Sequence, residues 1–199
     1  MSKRIFDFLL SLCGLVISVP LWIIVVLAIY LEDGRPIFFL QERVGKDSKK
    51  FKAIKFRTMK QINTPYPDID LLEEDPRVTR TGRLLRMTAM DELPQLINII
   101  KGDMSFVGPK ALPYAIDDEE KNRYKYLDEI PGYETRIKVR PGLTGIAQIY
   151  VSKNASRRNK FRYDNIYVRK QNLWLDIRLI LISFFITFRA KWERGGKKI

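Results

Sequence analysis

Residues 8–31 read FLLSLCGLVISVPLWIIVVLAIYL and carry no charged side chain. An apolar helix needs about 20 residues to cross a bilayer, so this run is long enough. It does not resemble a cleaved leader, because no small-residue cleavage site precedes Glu32 and Asp33. Its flanks argue about topology. Lys3 and Arg4 precede the run and a strongly basic region follows it, so a simple crossing would set one basic side outside. Pro20 lies near the centre, two residues after Ser18. Proline removes a helical hydrogen bond, and a nearby serine hydroxyl can satisfy the carbonyls it frees. Two readings stand side by side: a mildly kinked spanning helix, or a broken helix that enters and leaves by one face. The expected division is residues 1–34 as anchor and 35–199 as a basic domain.

The 199 residues suffice for one compact domain plus that anchor. A formal charge of +13 points to a polyanionic surrounding: phosphate-rich substrate, anionic lipid or nucleic acid. Nucleic acid fits poorly beside an apolar run and local clusters of acids. The chain has no histidine, which removes the commonest general base and zinc ligand. Its single thiol, Cys13, can build no disulfide framework. Chemistry therefore falls to Asp, Glu, Lys, Ser, Thr or Tyr.

Past the anchor, FFLQERVGKDSKKFKAIKFRTM (38–59) alternates, turns at Gly45 to Lys50 and alternates again, which predicts a strand hairpin. Lys55 and Arg57 have the parity of one strand face and together would suit a phosphate, although charged edge strands are also common. The proline- and acid-rich residues 65–76 read as a surface loop. Arg77, Arg80, Arg83 and Arg86 recur at helical spacing. Such a stripe binds phosphates or headgroups, or is a solvated helix face. Residues 113–129 read as a polar helix. LILISFFITF (179–188) is too short to span and predicts core or an interfacial helix.

Asp91 and Glu92 are adjacent carboxylates just before Pro94. Proline is tolerated in the first helical turn, so a helix is expected to start near Asp91, with that residue as its N-cap. The helix dipole would then favour the ionised carboxylate. Such a group can attack phosphorus, as in aspartyl-phosphate enzymes, or hold Mg²⁺. Alone, an N-cap aspartate followed by glutamate is usually structural.

KRIFD (3–7), the apolar run with its proline, QERVG (41–45) and KFRTM (55–59) make the chain similar to the small monotopic phosphoglycosyl transferases of bacteria, the bacterial sugar transferase family. The resemblance is strongest at DELPQLINIIKGDMSFVGP (91–109), RPGLTGIAQ (140–148) and FRYDNIYV (161–168), and it runs nearly end to end. It implies an α/β fold with a small sheet, amphipathic surface helices and an N-terminal re-entrant membrane helix broken at the positions of Ser18 and Pro20. It implies a place on the cytoplasmic face of the bacterial inner membrane. The implied reaction moves a phospho-sugar from a UDP-sugar to undecaprenyl phosphate, with UMP released and glycoconjugate or polysaccharide assembly initiated. Asp91 would be the nucleophile and a ligand of Mg²⁺, and Glu92 would assist. Lys55, Arg86, Arg140 and Asp164 fall on family active-site positions, with Lys110 and Arg57 as further phosphate contacts.

Three departures stand out. Val19 separates Ser18 from Pro20, GPKA (108–111) stands where the family usually has GPRP, and YVSKN (150–154) replaces a Gly-Arg-Asn. Residues 110–111 and 151–153 therefore bear on donor contacts, not on the reaction. A membrane-surface binding module would explain the charge but leave Asp91 and Glu92 without purpose. A one-step transfer, with Asp91 only a metal ligand, is a second alternative. The sugar stays open, and so does the oligomeric state, with an exposed apolar face able to support a homodimer.

Overall fold

A computed structural model describes residues 2–60, 77–114, 124, 126–152 and 154–189. The fold mixes helices with two small sheets, and it begins with α1 (Ser2–Asp33), an apolar helix long enough to be a membrane anchor. At 1.5 Å per residue, α1 is about 48 Å long. Secondary structure is helical throughout it, including Pro20. Ser18 donates to the Leu15 carbonyl at 3.1 Å and accepts from Trp22 Nε1 at 3.1 Å, so the proline neighbourhood is locally hydrogen-bonded.

One stripe of α1 faces the rest of the protein. Asp7, Ser11, Val25 and Ile29 are buried at helical spacing. Phe6 and Leu10 pack with Val107, Tyr167 and Leu179; Leu15 packs with Leu96 and Ile99; Leu21, Trp22 and Val26 pack with Phe56 and Leu85. The opposite stripe, including Leu9, Val16, Ile17, Ile24 and Leu31, is exposed and apolar. Both ends are tied to the same body. At the start, Lys3 pairs with Asp176 at 2.5 Å, Arg4 donates to the Ile99 and Ile100 carbonyls, and Asp7 accepts from Phe106 N–H. At the end, Glu32 accepts from Arg80 and Thr81 N–H, and Asp33 pairs with Arg57 at 3.1 Å.

The hairpin read from the sequence is present. Strands β1 (Phe38–Val44) and β2 (Lys50–Phe56) are antiparallel, with Phe39 opposite Lys55 and Arg43 opposite Phe51. A 3-10 turn at Lys46–Ser48 joins them. The arginine-bearing helix α2 covers Arg80–Thr88 and is N-capped by Thr79, whose hydroxyl accepts from Gly82 N–H at 2.9 Å. Gly82 lies against the end of β2: a Cβ there would sit 2.1 Å from the Thr58 carbonyl oxygen.

A short helix α3 (Gln95–Lys101) packs on α1 and β2. Its Asn98, almost fully buried, accepts from Ile54 N–H at 3.0 Å and donates to the Lys52 carbonyl at 2.8 Å. This side chain satisfies strand groups that no third strand reaches among the described residues, and so fixes α3 to β2. Strands β3 (Ser105–Val107) and β4 (Gly142–Thr144) form a parallel pair. Gly142 permits that approach, since a Cβ would fall 2.0 Å from Gly108 N.

The remaining helices are α4 (Tyr133–Arg136), α5 (Ile146–Tyr150), α6 (Arg157–Lys170) and α7 (Leu173–Phe188). Helix α7 shows the core expected of its sequence at Leu179, Ile180 and Ile186, while Trp174, Leu181, Phe184 and Phe188 are exposed. The expected loop at 65–76 lies outside the described residues. So do residues 115–123 of the expected polar helix, of which 127–129 form a 3-10 turn.

Candidate active site

Helix α2 stops at Ala89, whose φ of 55° reverses the chain in the left-handed region. Met90–Glu92 then form a 3-10 turn, and α3 begins only at Gln95, after Pro94. The expectation that Asp91 is the N-cap of a helix is therefore corrected. Proline sets an upper limit on where a helix starts, but a separate tight turn intervenes here. Asp91 and Glu92 project from a corner between two helices, facing β2.

Lys55 meets them from β2. Its ammonium donates to Glu92 Oε1 at 2.6 Å, with one fifth of each side chain exposed. Burial opposes the charge on Lys55, but Glu92 and Asp91 outweigh it and raise its pKa. Burial likewise opposes ionisation of Glu92, and Lys55 with Lys110 overcomes it, so Glu92 is held below the usual carboxylate range. Asp91 behaves differently. Burial, with the Glu92 charge adding, pushes it up to about 6 against the pull of Lys55, Arg86 and Lys110. The dipole-stabilised low pKa expected from the sequence is thus reversed. Among the described residues, Asp91 has no hydrogen-bond or ion-pair partner, whereas its neighbour is engaged by Lys55.

Further cations complete the surroundings. Arg86, half-buried on α2, donates from Nε to Thr58 Oγ1 at 3.0 Å and acts on Asp91. The stripe expected from Arg77 to Arg86 is thus split, with Arg80 and Arg83 in solvent and Arg86 turned inward. Lys110 acts on both carboxylates from the turn after β3. Arg43 acts on Lys55 and Glu92. It went unnoticed in the sequence, yet parity would have found it: in the hairpin register, 39, 41 and 43 share a face with 51, 53 and 55.

Three expected contacts have other partners in the structure. Arg57 is 6% exposed and follows the last β2 residue, so strand parity does not hold it beside Lys55. It pairs with Asp33 and donates to the Asp33 and Gly34 carbonyls, closing the C-terminal end of α1. Arg140 donates from Nε to the Gly102 carbonyl at 2.7 Å, at the end of α3. Asp164 is buried on α6 and pairs with Arg136 at 2.9 Å. Ser18 and Pro20 lie within α1, as described above.

The residues present fit Mg²⁺. Among the described residues no group of three or more His, Cys, Asp or Glu side chains gathers, so a full protein cage is not built. Mg²⁺ commonly takes one or two carboxylates and completes its shell with substrate phosphates and water. The unengaged Asp91 carboxylate, flanked by Lys55, Arg86 and Lys110, is a donor of that type.

Comparison with known proteins gives a consistent picture. The model of the family described as bacterial sugar transferase matches residues 1–190. A UDP-glucose:undecaprenyl-phosphate glucose-1-phosphate transferase of Klebsiella pneumoniae is 35% identical over 194 residues, 95% of this chain and 40% of that protein. A UDP-N-acetylgalactosamine-undecaprenyl-phosphate N-acetylgalactosaminephosphotransferase of Aeromonas hydrophila is 36% identical over 182 residues, 89% of this chain and 41% of that one. The exopolysaccharide production protein PSS of Rhizobium leguminosarum bv. phaseoli is 37% identical over 202 residues, 97% of this chain and 96% of that protein. The chain thus spans about two fifths of the first two relatives and nearly all of the third.

Proposed function

The chain belongs to the bacterial sugar transferase family, and on that premise we propose that it moves a sugar phosphate from a UDP-sugar to undecaprenyl phosphate. The observation that carries this reading is the unengaged Asp91 carboxylate beside a Lys55–Glu92 ion pair. Arg86 and Lys110 act on the same carboxylate. A diphosphate entering that space would meet positive charge on several sides and one free nucleophile.

In the first half-reaction a carboxylate oxygen of Asp91 attacks the β-phosphorus. The bond from that phosphorus to the bridging oxygen breaks, and UMP leaves with the electron pair. In the second half-reaction a phosphate oxygen of undecaprenyl phosphate attacks the same phosphorus. The acyl-phosphate bond breaks, Asp91 regains its carboxylate, and a lipid-linked diphosphate sugar is formed. One acyl-phosphate and one phosphoanhydride are made as one phosphoanhydride and one acyl-phosphate are cleaved, so no outside energy source is needed. Mg²⁺, when bound at Asp91, would neutralise diphosphate charge and align the phosphorus for attack. Lys55 holds Glu92 ionised and turned aside, which leaves Asp91 free. Arg86, Lys110 and Arg43 offset charge developing on the phosphoryl oxygens and on UMP. With a pKa of about 6, Asp91 is largely ionised at neutral pH and more basic than an ordinary carboxylate.

The membrane relationship follows from α1. Both of its ends are pinned to one body, and only its outer stripe is apolar and exposed. That arrangement supports a monotopic enzyme with the outer stripe and the exposed face of α7 in lipid, and a nucleotide-sugar donor drawn from the cytosol argues for the cytoplasmic face. The water-soluble donor and the lipid-borne acceptor phosphate then meet at headgroup depth. Relatives of near-equal identity are named for glucose and for N-acetylgalactosamine, so a donor panel must include both. Nanodisc-held protein with Mg²⁺ and undecaprenyl phosphate should release UMP with at least one UDP-sugar. Release of UDP would replace this reading with glycosyl transfer.

A further inference from the structure

Asp164, which the family resemblance suggested as a site residue, is 3% exposed and pairs with Arg136. Arg136 ends α4 and is itself 4% exposed. Its guanidinium makes three contacts. Nε donates to Asp164 Oδ2 at 2.9 Å, another nitrogen donates to the backbone carbonyl of Lys110, and Cζ lies over the Phe161 ring, 4.7 Å from its centroid. Lys110 is bridged from its other side to Gly142, and the Pro109 carbonyl accepts from Gly142 N–H at 2.9 Å. The Lys110 backbone is therefore gripped between the Arg140–Gly142 turn and a buried arginine, while its side chain is exposed and acts on Asp91 and Glu92.

We propose that Arg136, locked by Asp164, is a positioning residue: it fixes the backbone of Lys110 so that the Lys110 ammonium stands at the diphosphate beside Asp91 and Glu92. This rests on the transferase reading given above. The planar guanidinium suits the task because it can serve Asp164 and a carbonyl in fixed directions at once, which an ammonium on a flexible stem does not. Asp164 accordingly acts through Arg136 and not on substrate. The burial of the pair explains why both charges are present: either one alone would be uncompensated in the interior. It also accounts for the lysine at position 110, where a flexible ammonium gains most from a fixed backbone.

The test uses the full chain in nanodiscs with Arg136→Lys, Asp164→Asn, Lys110→Ala and the double variant Arg136→Lys/Lys110→Ala. Carbodiimide joins neighbouring carboxylates and amines, and cross-linked peptides are counted by mass spectrometry. The Lys55–Glu92 link serves as an internal standard for an intact fold. Arg136→Lys and Asp164→Asn are each expected to lower the Lys110 link to Asp91 or Glu92 on the order of tenfold relative to that standard. In UMP release, the double variant is expected to be no slower than Lys110→Ala alone, because the two act as one unit. An unchanged Lys110 link in Arg136→Lys, or losses that multiply in the double variant, would overturn the proposal. Absence of turnover by the wild type with every donor would instead sink the functional reading, and the cross-linking ratio would still decide the role of Arg136.

Discussion

The Lys55 ammonium sits 2.6 Å from Glu92 Oε1, while the adjacent Asp91 has no such partner among the described residues. Two neighbouring carboxylates are thereby given different tasks by one cation. Glu92 is kept ionised and occupied, and Asp91 is half-buried, repelled by Glu92 and, in the proposed function, the group that reacts. Asp91→Asn should therefore abolish UMP release, by on the order of 10³-fold or more, with UDP-sugar binding retained. Glu92→Gln should cost less, because the nucleophile survives. Initial rates and donor affinity measured side by side check this pair.

A carboxylate held at about 6 costs stability at neutral pH. The sign follows from proton counting. Between the ordinary pKa of 3.8 and about 6 the folded state binds more protons than the unfolded, so stability contributed by this group falls as pH rises through that window. Below 3.8 both states are protonated and nothing is lost. In metal-free buffer, Asp91→Asn should then stabilise the protein at pH 7.5 by about 1–3 kcal/mol, after allowance for solvent screening of this half-buried group. The gain should fade towards pH 4. Thermal melts at the two pH values give the comparison, and a destabilised Asn variant at pH 7.5 would contradict the assigned electrostatics.

Arg57 lies in an ion pair with Asp33 that closes α1. Arg57 is buried but Asp33 is partly exposed, so removing the arginine should cost about 1–3 kcal/mol, less than for a fully buried pair. Arg57→Ala should lower the melting temperature markedly and leave the KM for the UDP-sugar within about twofold in the fraction that remains folded. A selective rise in KM with normal stability would return Arg57 to the phosphate site.

Gly82 allows α2 to lie on the Thr58 carbonyl. Gly82→Ala forces a backbone separation where Arg86 also meets Thr58. Overpacking of this kind costs about 1–3 kcal/mol. Activity should fall further than stability alone explains, since α2 carries Arg86 towards Asp91. Melting and turnover measured on the same preparation check both parts.

The anchor yields a topological prediction. In a Cys13→Ser background, Ser2→Cys and Arg35→Cys mark the two ends of α1. In sealed inverted membrane vesicles a membrane-impermeant maleimide should label both thiols. Labelling of only one would mean that α1 crosses the bilayer and that its pinned ends do not persist in the membrane.

Much of this organisation was legible in the residues. The β1–β2 hairpin follows from alternation and the turn at Gly45, and the long apolar helix α1 from uninterrupted apolarity. Asp91 stood out through its motif, but its environment was not legible. Pro94 suggests a helix start, and only the left-handed Ala89 shows that a separate turn carries the carboxylates. Arg57 was misplaced because parity predicts direction only while the strand lasts, and β2 ends at Phe56. Arg136 carried no local signal at all: its meaning lies in Asp164, 28 residues away, and in a carbonyl 26 residues away. Long-range ion pairs to backbone atoms have no sequence period by which to be read.

The proposed function turns on covalent capture of the phospho-sugar by Asp91. Nanodisc-held protein mixed with Mg²⁺ and its preferred UDP-sugar, without undecaprenyl phosphate, should be quenched in acid within seconds and examined by intact-mass and peptide mass spectrometry. The expected result is a mass increase equal to one sugar phosphate on the peptide that holds Asp91, lost on addition of undecaprenyl phosphate and absent in Asp91→Asn. UMP formed only when the lipid acceptor is present, with no adduct under any quench, would contradict it and favour direct attack by the acceptor.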